Sequence, residues 1–167
     1  MKFPIFVSSG HKQWVLVVEW SPLGRTLASG DNDGVINVWE SESGRLIRAL
    51  KGHKAAVRSL SWQPLCCSKY DITERFVMKK DRCNSCYAIF RPDDIRQLLA
   101  SGSQDHTIRV WNTAFGSTLF CFSGHTGPVT CIRWAGDNLI YSASYDKTIK
   151  IWNSEAVSDR AICYACS

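Results

Sequence analysis

The sequence predicts an all-β chain made of about three copies of one unit, and three observations predict it. Gly-His recurs at Gly10-His11, Gly52-His53 and Gly124-His125. A run of strand-like residues ending in Trp recurs at 35–39, 107–111 and 148–152, and its period of two is what a half-buried strand requires. Each run follows a turn that carries an aspartate: Asp33, Asp105 and Asp146. The His spacings are 42 and 72 residues and the Trp spacings 72 and 41. Both long intervals exceed a period of about 42 by about 30, so the second copy carries one insertion, at 65–96.

The elements follow in order. Residues 3–7 read as an outer strand of a preceding unit, which sets 1–9 apart. The first copy occupies 10–51, the second 52–123 with its insertion, and the third 124–167. Within each copy an innermost strand is expected at 14–20, 56–62 and 128–134, and a second at 26–30, 97–102 and 138–143. The third is the Trp-ending run, and an outer strand follows at 45–50, 117–122 and 160–165. Gly and polar residues between the runs supply the turns.

Composition narrows the class. The chain has 167 residues, of which 45% are hydrophobic and 21% charged, the balance of a globular domain rather than a disordered one. No apolar run reaches the length of a membrane span, so no membrane is expected as a partner. The apolar stretch after Met1 is too short for a secretory signal. An intracellular protein with reduced thiols is therefore expected despite eight cysteines. Cys121, Cys131 and Cys163 fall in alternating segments and read as small core residues. The net charge of +5 is mild and interspersed with acids; it permits a nucleic-acid neighbourhood without arguing for one. There is no phosphate-binding glycine loop and no paired carboxylate in a plausible pocket, and no cofactor is expected.

The unit as a whole (Gly-His, apolar strand, polar turn, a Leu-Ala-Ser-Gly-like strand, an Asp turn, a strand ending in Trp) resembles the WD40 repeat over nearly the whole chain. The resemblance implies a β-propeller fragment of about three four-stranded blades plus a leading outer strand, not a closed propeller, since closure takes typically four to eight blades. Such an arc leaves two uncovered faces and reads as a fragment, a truncated product, or an assembly in need of a partner. The resemblance also implies a buried structural relay of His, Ser, Asp and Trp in each blade. The matching positions are His11, Ser29, Asp33 and Trp39; His53, Ser101, Asp105 and Trp111; His125, Ser142, Asp146 and Trp152. A His/Ser/Asp set also suggests a hydrolase, but a set that recurs three times, with its roles met by packing, reads as architecture and not as an enzyme.

More distinctive stretches narrow the resemblance. They are Gly10-His11-Lys12-Gln13-Trp14-Val15-Leu16 leading to Trp20-Ser21-Pro22, then Leu60-Ser61-Trp62-Gln63-Pro64-Leu65, and above all Arg133-Trp134-Ala135-Gly136-Asp137 running into Tyr141-Ser142-Ala143-Ser144. Together these are similar to the early blades of the Notchless family of ribosome-assembly factors. That similarity implies a non-catalytic docking platform for the large (60S) subunit precursor, in nucleolus and nucleus (the cytoplasm being the alternative), with pre-60S proteins and possibly rRNA as partners. The midasin-type ATPase that such factors engage would be reached only through a ubiquitin-like domain absent from this sequence. Two other readings stay open: a generic WD40 adaptor, such as a ubiquitin-ligase substrate receptor or signalling scaffold, and a zinc- or thiol-active module built on the insertion.

Partners of WD40 propellers commonly meet the rim holding the inner-strand starts and the residue before the turn aspartate. By position these are Trp14, Ala56 and Pro128, and Asn32, Gln104 and Tyr145. Trp14 is the foremost candidate, because an exposed aromatic anchors an interface well; its alternative is packing between blades. Lys12, Lys54, Arg58 and Lys147 are placed to face rRNA phosphates or simply to solvate the rim. In the insertion, Cys83-Asn84-Ser85-Cys86 has the spacing of half a zinc site, which Cys66 and Cys67 would have to complete. Adjacent cysteines ligate one ion poorly, so a surface loop is the expectation there.

Overall fold

The structure is a computed structural model and describes residues 8–64, 98–135 and 139–154. Eleven strands are defined among them: β1 Val15–Trp20, β2 Thr26–Asp31, β3 Ile36–Glu40, β4 Leu46–Leu50, β5 Val57–Trp62, β6 Leu98–Ser103, β7 Thr107–Asn112, β8 Ser117–Ser123, β9 Val129–Trp134, β10 Leu139–Ser144 and β11 Ile149–Asn153. They form three antiparallel sheets in the orders β1-β2-β3-β4, β5-β6-β7-β8 and β9-β10-β11. The three sheets do not close into a ring. The expected leading strand at 3–7, the outer strand at 160–165 with Cys163, and the insertion with Cys66, Cys67, Cys83 and Cys86 lie outside the described residues.

The repeat extends to the irregularities of pairing. The β1–β2 ladder slips between Val15 and Val17, and the β5–β6 ladder slips at the equivalent Val57 and Ser59. The β3–β4 and β7–β8 ladders slip at Val38/Trp39 and Val110/Trp111. Each bulge re-aims the strand while keeping the apolar alternation on one face.

That alternation explains where the core sits. One apolar layer joins the first two blades, with Ala28, Ile36, Val38 and Leu50 against Val57, Leu60, Trp62, Leu99 and Trp111. A second joins blades two and three through Ala100, Ile108 and Val110 against Val129, Ile132, Trp134 and Ile140. Polar contacts register the blades. Trp62 Nε1 donates to the Glu19 carbonyl at 3.1 Å, while the Ser59 and Ser61 hydroxyls accept from the backbone N–H groups of Ile132 and Trp134 at 3.0 and 2.9 Å.

The thiols follow the faces and not the expectation. Cys131 is exposed and Cys121 half-buried, so Cys131 is not the core residue its alternating segment suggested. It lies on the side of β9 turned away from the apolar layer that Val129 and Ile132 enter.

Candidate functional site

Each blade carries a chain of hydrogen bonds from its Gly-His turn to its Trp. In the second, His53 Nδ1 lies 2.8 Å from Asp105 Oδ2, His53 Nε2 lies 2.7 Å from Ser101 Oγ, and Trp111 Nε1 donates to Ser101 Oγ at 2.8 Å. In the third, the corresponding separations are 2.6, 2.7 and 2.8 Å for His125–Asp146, His125–Ser142 and Trp152–Ser142. With the aspartate ionised, Nδ1–H donates to it, and a neutral ring then accepts the serine O–H at Nε2, so every polar atom of the set finds a partner. The glycine before each histidine lies against the indole: a Cβ on Gly10, Gly52 or Gly124 would sit 3.1, 3.0 or 3.1 Å from the Cη2 atom of the Trp beneath it. The Gly-His pair is thus a packing requirement.

The first blade departs from the expected set. His11 Nε2 meets Ser29 Oγ at 2.6 Å and Trp39 Nε1 donates to the same hydroxyl at 2.7 Å, but the carboxylate on His11 Nδ1, at 2.8 Å, is that of Asp31. Asp33, the residue the repeat alignment assigns, is exposed. The reason lies in two neighbours. Blades two and three have Ser103 and Ser144 at the position of Asp31, and Thr107 and Thr148 at the position of Val35. Those threonine hydroxyls donate to Asp105 and Asp146 at 2.6 Å each, and Ser103 and Ser144 accept the aspartate N–H at 3.1 and 3.2 Å. In blade one Val35 offers no hydroxyl. Asp31 performs both duties, with Oδ1 accepting from the N–H groups of Asp33 and Val35 at 3.0 and 2.9 Å.

The electrostatics follow from these contacts. Burial pushes the Asp105 carboxyl up, but the His53 ring, the Thr107 hydroxyl and the Lys54 N–H outweigh it and hold the group well below the usual carboxylate range. Asp146 is held down in the same sense, first by the Thr148 hydroxyl, against burial, and further by His125 and the N–H groups of Thr148 and Thr126. The His/Ser/Asp geometry has triad-like distances, yet Ser101 is 0% exposed and its oxygen is occupied by the Trp111 indole. No acyl group can reach it, so the set holds the blade together instead of presenting a nucleophile.

The six rim positions come together in pairs. One backbone hydrogen bond per blade ties the residue before the turn aspartate to the inner-strand start: Asn32 N to Trp14 O at 3.0 Å, Gln104 N to Ala56 O at 2.9 Å, Tyr145 N to Pro128 O at 3.0 Å. Ala56 is 2% exposed and offers no side chain to a partner. The blade-one turn covers that neighbourhood, since a Cβ on Gly34 would meet the carbonyls of His53 and Ala55 at 2.7 and 2.8 Å. Trp14 is 78% exposed. The equivalent Ala56 has a blade in front of it, and among the described residues Trp14 has none, so that exposure fits either of its two readings. Tyr145 and Asn32 are exposed, and Gln104 and Pro128 half-buried. Sequence reasoning missed Thr130, which with Arg58, Gln104, Pro128 and Tyr145 lines a cavity of about 240 Å³ between blades two and three. Only the three-dimensional stacking of the blades brings those five together. Among the described residues, no group of three or more His, Cys, Asp or Glu side chains is arranged to hold a metal ion.

A family model described as "WD domain, G-beta repeat" matches residues 2–40, 80–112 and 116–153. Ribosome assembly protein 4 of Chaetomium thermophilum is 36% identical over 157 residues, covering 80% of this chain and 30% of that protein. Protein Notchless of Drosophila melanogaster is 36% identical over 80% of this chain and 31% of its own length. The chain therefore spans about 30% of the curated relatives it matches first. Other WD40 proteins match as well. A solved structure, "Structure of U3-55K", superposes with a TM-score of 0.67 at 22% identity, covering 89% of this chain and 38% of that one, a likeness of fold.

Proposed function

From a chain that belongs to the WD40-repeat family, we propose a docking platform that serves assembly of the large ribosomal subunit. WD40 domains are typically non-catalytic protein-binding scaffolds, and the sealed Ser101 suits that role. The observation that carries the finer reading is the 36% identity to both a ribosome assembly protein and Notchless over 80% of the chain. The working surface is the rim of Trp14, Asn32, Gln104, Pro128 and Tyr145, and the partners are proteins of the pre-60S particle, with Lys12, Lys54 and Lys147, each two residues in sequence from a rim position, available to rRNA phosphate. The site of action is the nucleolus and nucleus.

The test is sedimentation of the tagged chain from its own cells, followed by identification of what travels with it. Co-sedimentation with pre-60S particles that falls on Tyr145→Ala supports the reading. Recovery with a ubiquitin ligase, and with no ribosomal precursor, overturns it.

A further inference from the structure

We infer that the cleft between blades two and three is a subsite for a carboxylate side chain, Asp or Glu, presented by a partner protein; this deepens the docking reading and rests on it. The cleft has an oriented guanidinium. With its amide turned so that the oxygen faces the guanidinium, Gln104 accepts from Arg58 Nη2 at 2.5 Å and Nε at 3.0 Å. This fixes the plane of an otherwise mobile exposed arginine. It leaves Arg58 Nη1 without a hydrogen-bond partner among the described residues. Planar N–H donors in a fixed fork match the two oxygens of a carboxylate.

Charge and shape agree with that occupant. No described carboxylate pairs with Arg58, and the turn aspartates that follow Gln104 and Tyr145 in sequence are already committed, Asp105 to His53 and Asp146 to His125. Exposed Lys54 and Lys147 add positive charge on the same blades. Pro128 and the exposed Tyr145 ring wall the cavity, whose volume of about 240 Å³ suits one side chain with its neighbouring backbone. A nucleic-acid backbone fits less well, because it calls for a row of cations along successive phosphates, whereas this cleft holds one guanidinium, beside Gln104, Thr130, Pro128 and Tyr145.

Fluorescence anisotropy with the full 167-residue chain tests it, using labelled peptides that alternate Glu with Gly or Gln with Gly, and a single-stranded RNA oligonucleotide. The expected result is binding of the Glu peptide about ten-fold tighter than the Gln peptide. That preference is lost in Arg58→Gln and reduced about three-fold in Arg58→Lys, which keeps the charge but not the fork. Arg58 is exposed, so unchanged circular dichroism of both variants is the folding control. Equal binding of the two peptides, a Glu preference that survives Arg58→Gln, or RNA bound more tightly than the Glu peptide through Arg58 overturns the proposal. Since the titration contains no ribosomal particle, its failure is distinct from failure to co-sediment with pre-60S particles.

Discussion

At the residue scale the relay is a set of interchangeable acceptors around one histidine. The alignment of three turns assigns Asp33 because an aspartate stands at that register in every copy, but register is not reach. What decides is which carboxylate also satisfies the neighbouring N–H groups, and in blade one that is Asp31. Asp31→Ala should therefore cost about 3 kcal/mol, since it strands a buried imidazole and two backbone donors. Asp33→Ala should stay within about 0.5 kcal/mol, as surface substitutions do. Urea midpoints by tryptophan fluorescence, at one fixed protein concentration, separate the two; an equal loss from both variants would contradict the assignment. The same carboxylates set the response to acid. Asp105 and Asp146 have folded values below their unfolded ones. Their contribution is thus fully present above the unfolded value of about 3.9 and lost as the pH falls through the folded value. Urea midpoints taken from neutral pH downward should hold until about pH 4 and then fall. Asp105→Asn should lower the neutral midpoint and flatten that fall.

At the element scale the blade is defined as much by the glycines at its seams as by its strands. A Cβ on Gly30 would lie 2.7 Å from Val57 Cγ1 and 2.8 Å from Val57 Cβ, and one on Gly102 would lie 2.7 Å from Val129 Cγ1. A β-branched side chain seated on the next blade cannot swing away. Gly102→Ala is therefore expected to lose about 1–3 kcal/mol through overpacking, and Val129→Ala in the same chain should recover part of it. A double-mutant cycle on urea midpoints measures that coupling; strict additivity would show that the two residues do not press on each other. This scale also shows what the sequence could reveal. All eleven strands begin within one residue of where alternation and turn chemistry put them, and β6 and β10 keep their register after the insertion, because the period is local and strong. The blade-to-blade contacts were not legible. Nothing in the spacing of Arg58, Gln104, Thr130 and Tyr145 says that they line one cleft, and nothing in the alternation of β9 says that Cys131 faces outward, since a strand's period names two faces without saying which one a neighbour covers.

At the scale of the whole molecule the decisive comparison is between equivalent positions on different blades. Ile36 and Ile108 are 0% exposed, yet Ile149, at the same place in blade three, is 74% exposed. Trp62 is 5% exposed and Trp20, its counterpart in blade one, 56%. The arc thus presents two unlike apolar half-interfaces: Val15, Val18 and Trp20 on β1, and Tyr141, Ile149 and Ile151 on the far side of blade three. Within the arc, a face of the second kind packs on a face of the first kind at both junctions. The two free faces are therefore complementary in kind and should join head to tail, a heterologous contact that grows until it closes or precipitates. On its own, this polypeptide should self-associate with rising concentration in sedimentation velocity. Val18→Lys blocks one face and Ile149→Lys the other, so each variant alone should remain monomeric. An equimolar mixture of the two should stop at a discrete dimer, because each chain retains the face its partner lacks. Dimers of either variant alone would mean that like faces pair with like, and a sharp monomeric unfolding transition of the unmodified chain at high concentration would mean that neither face drives association.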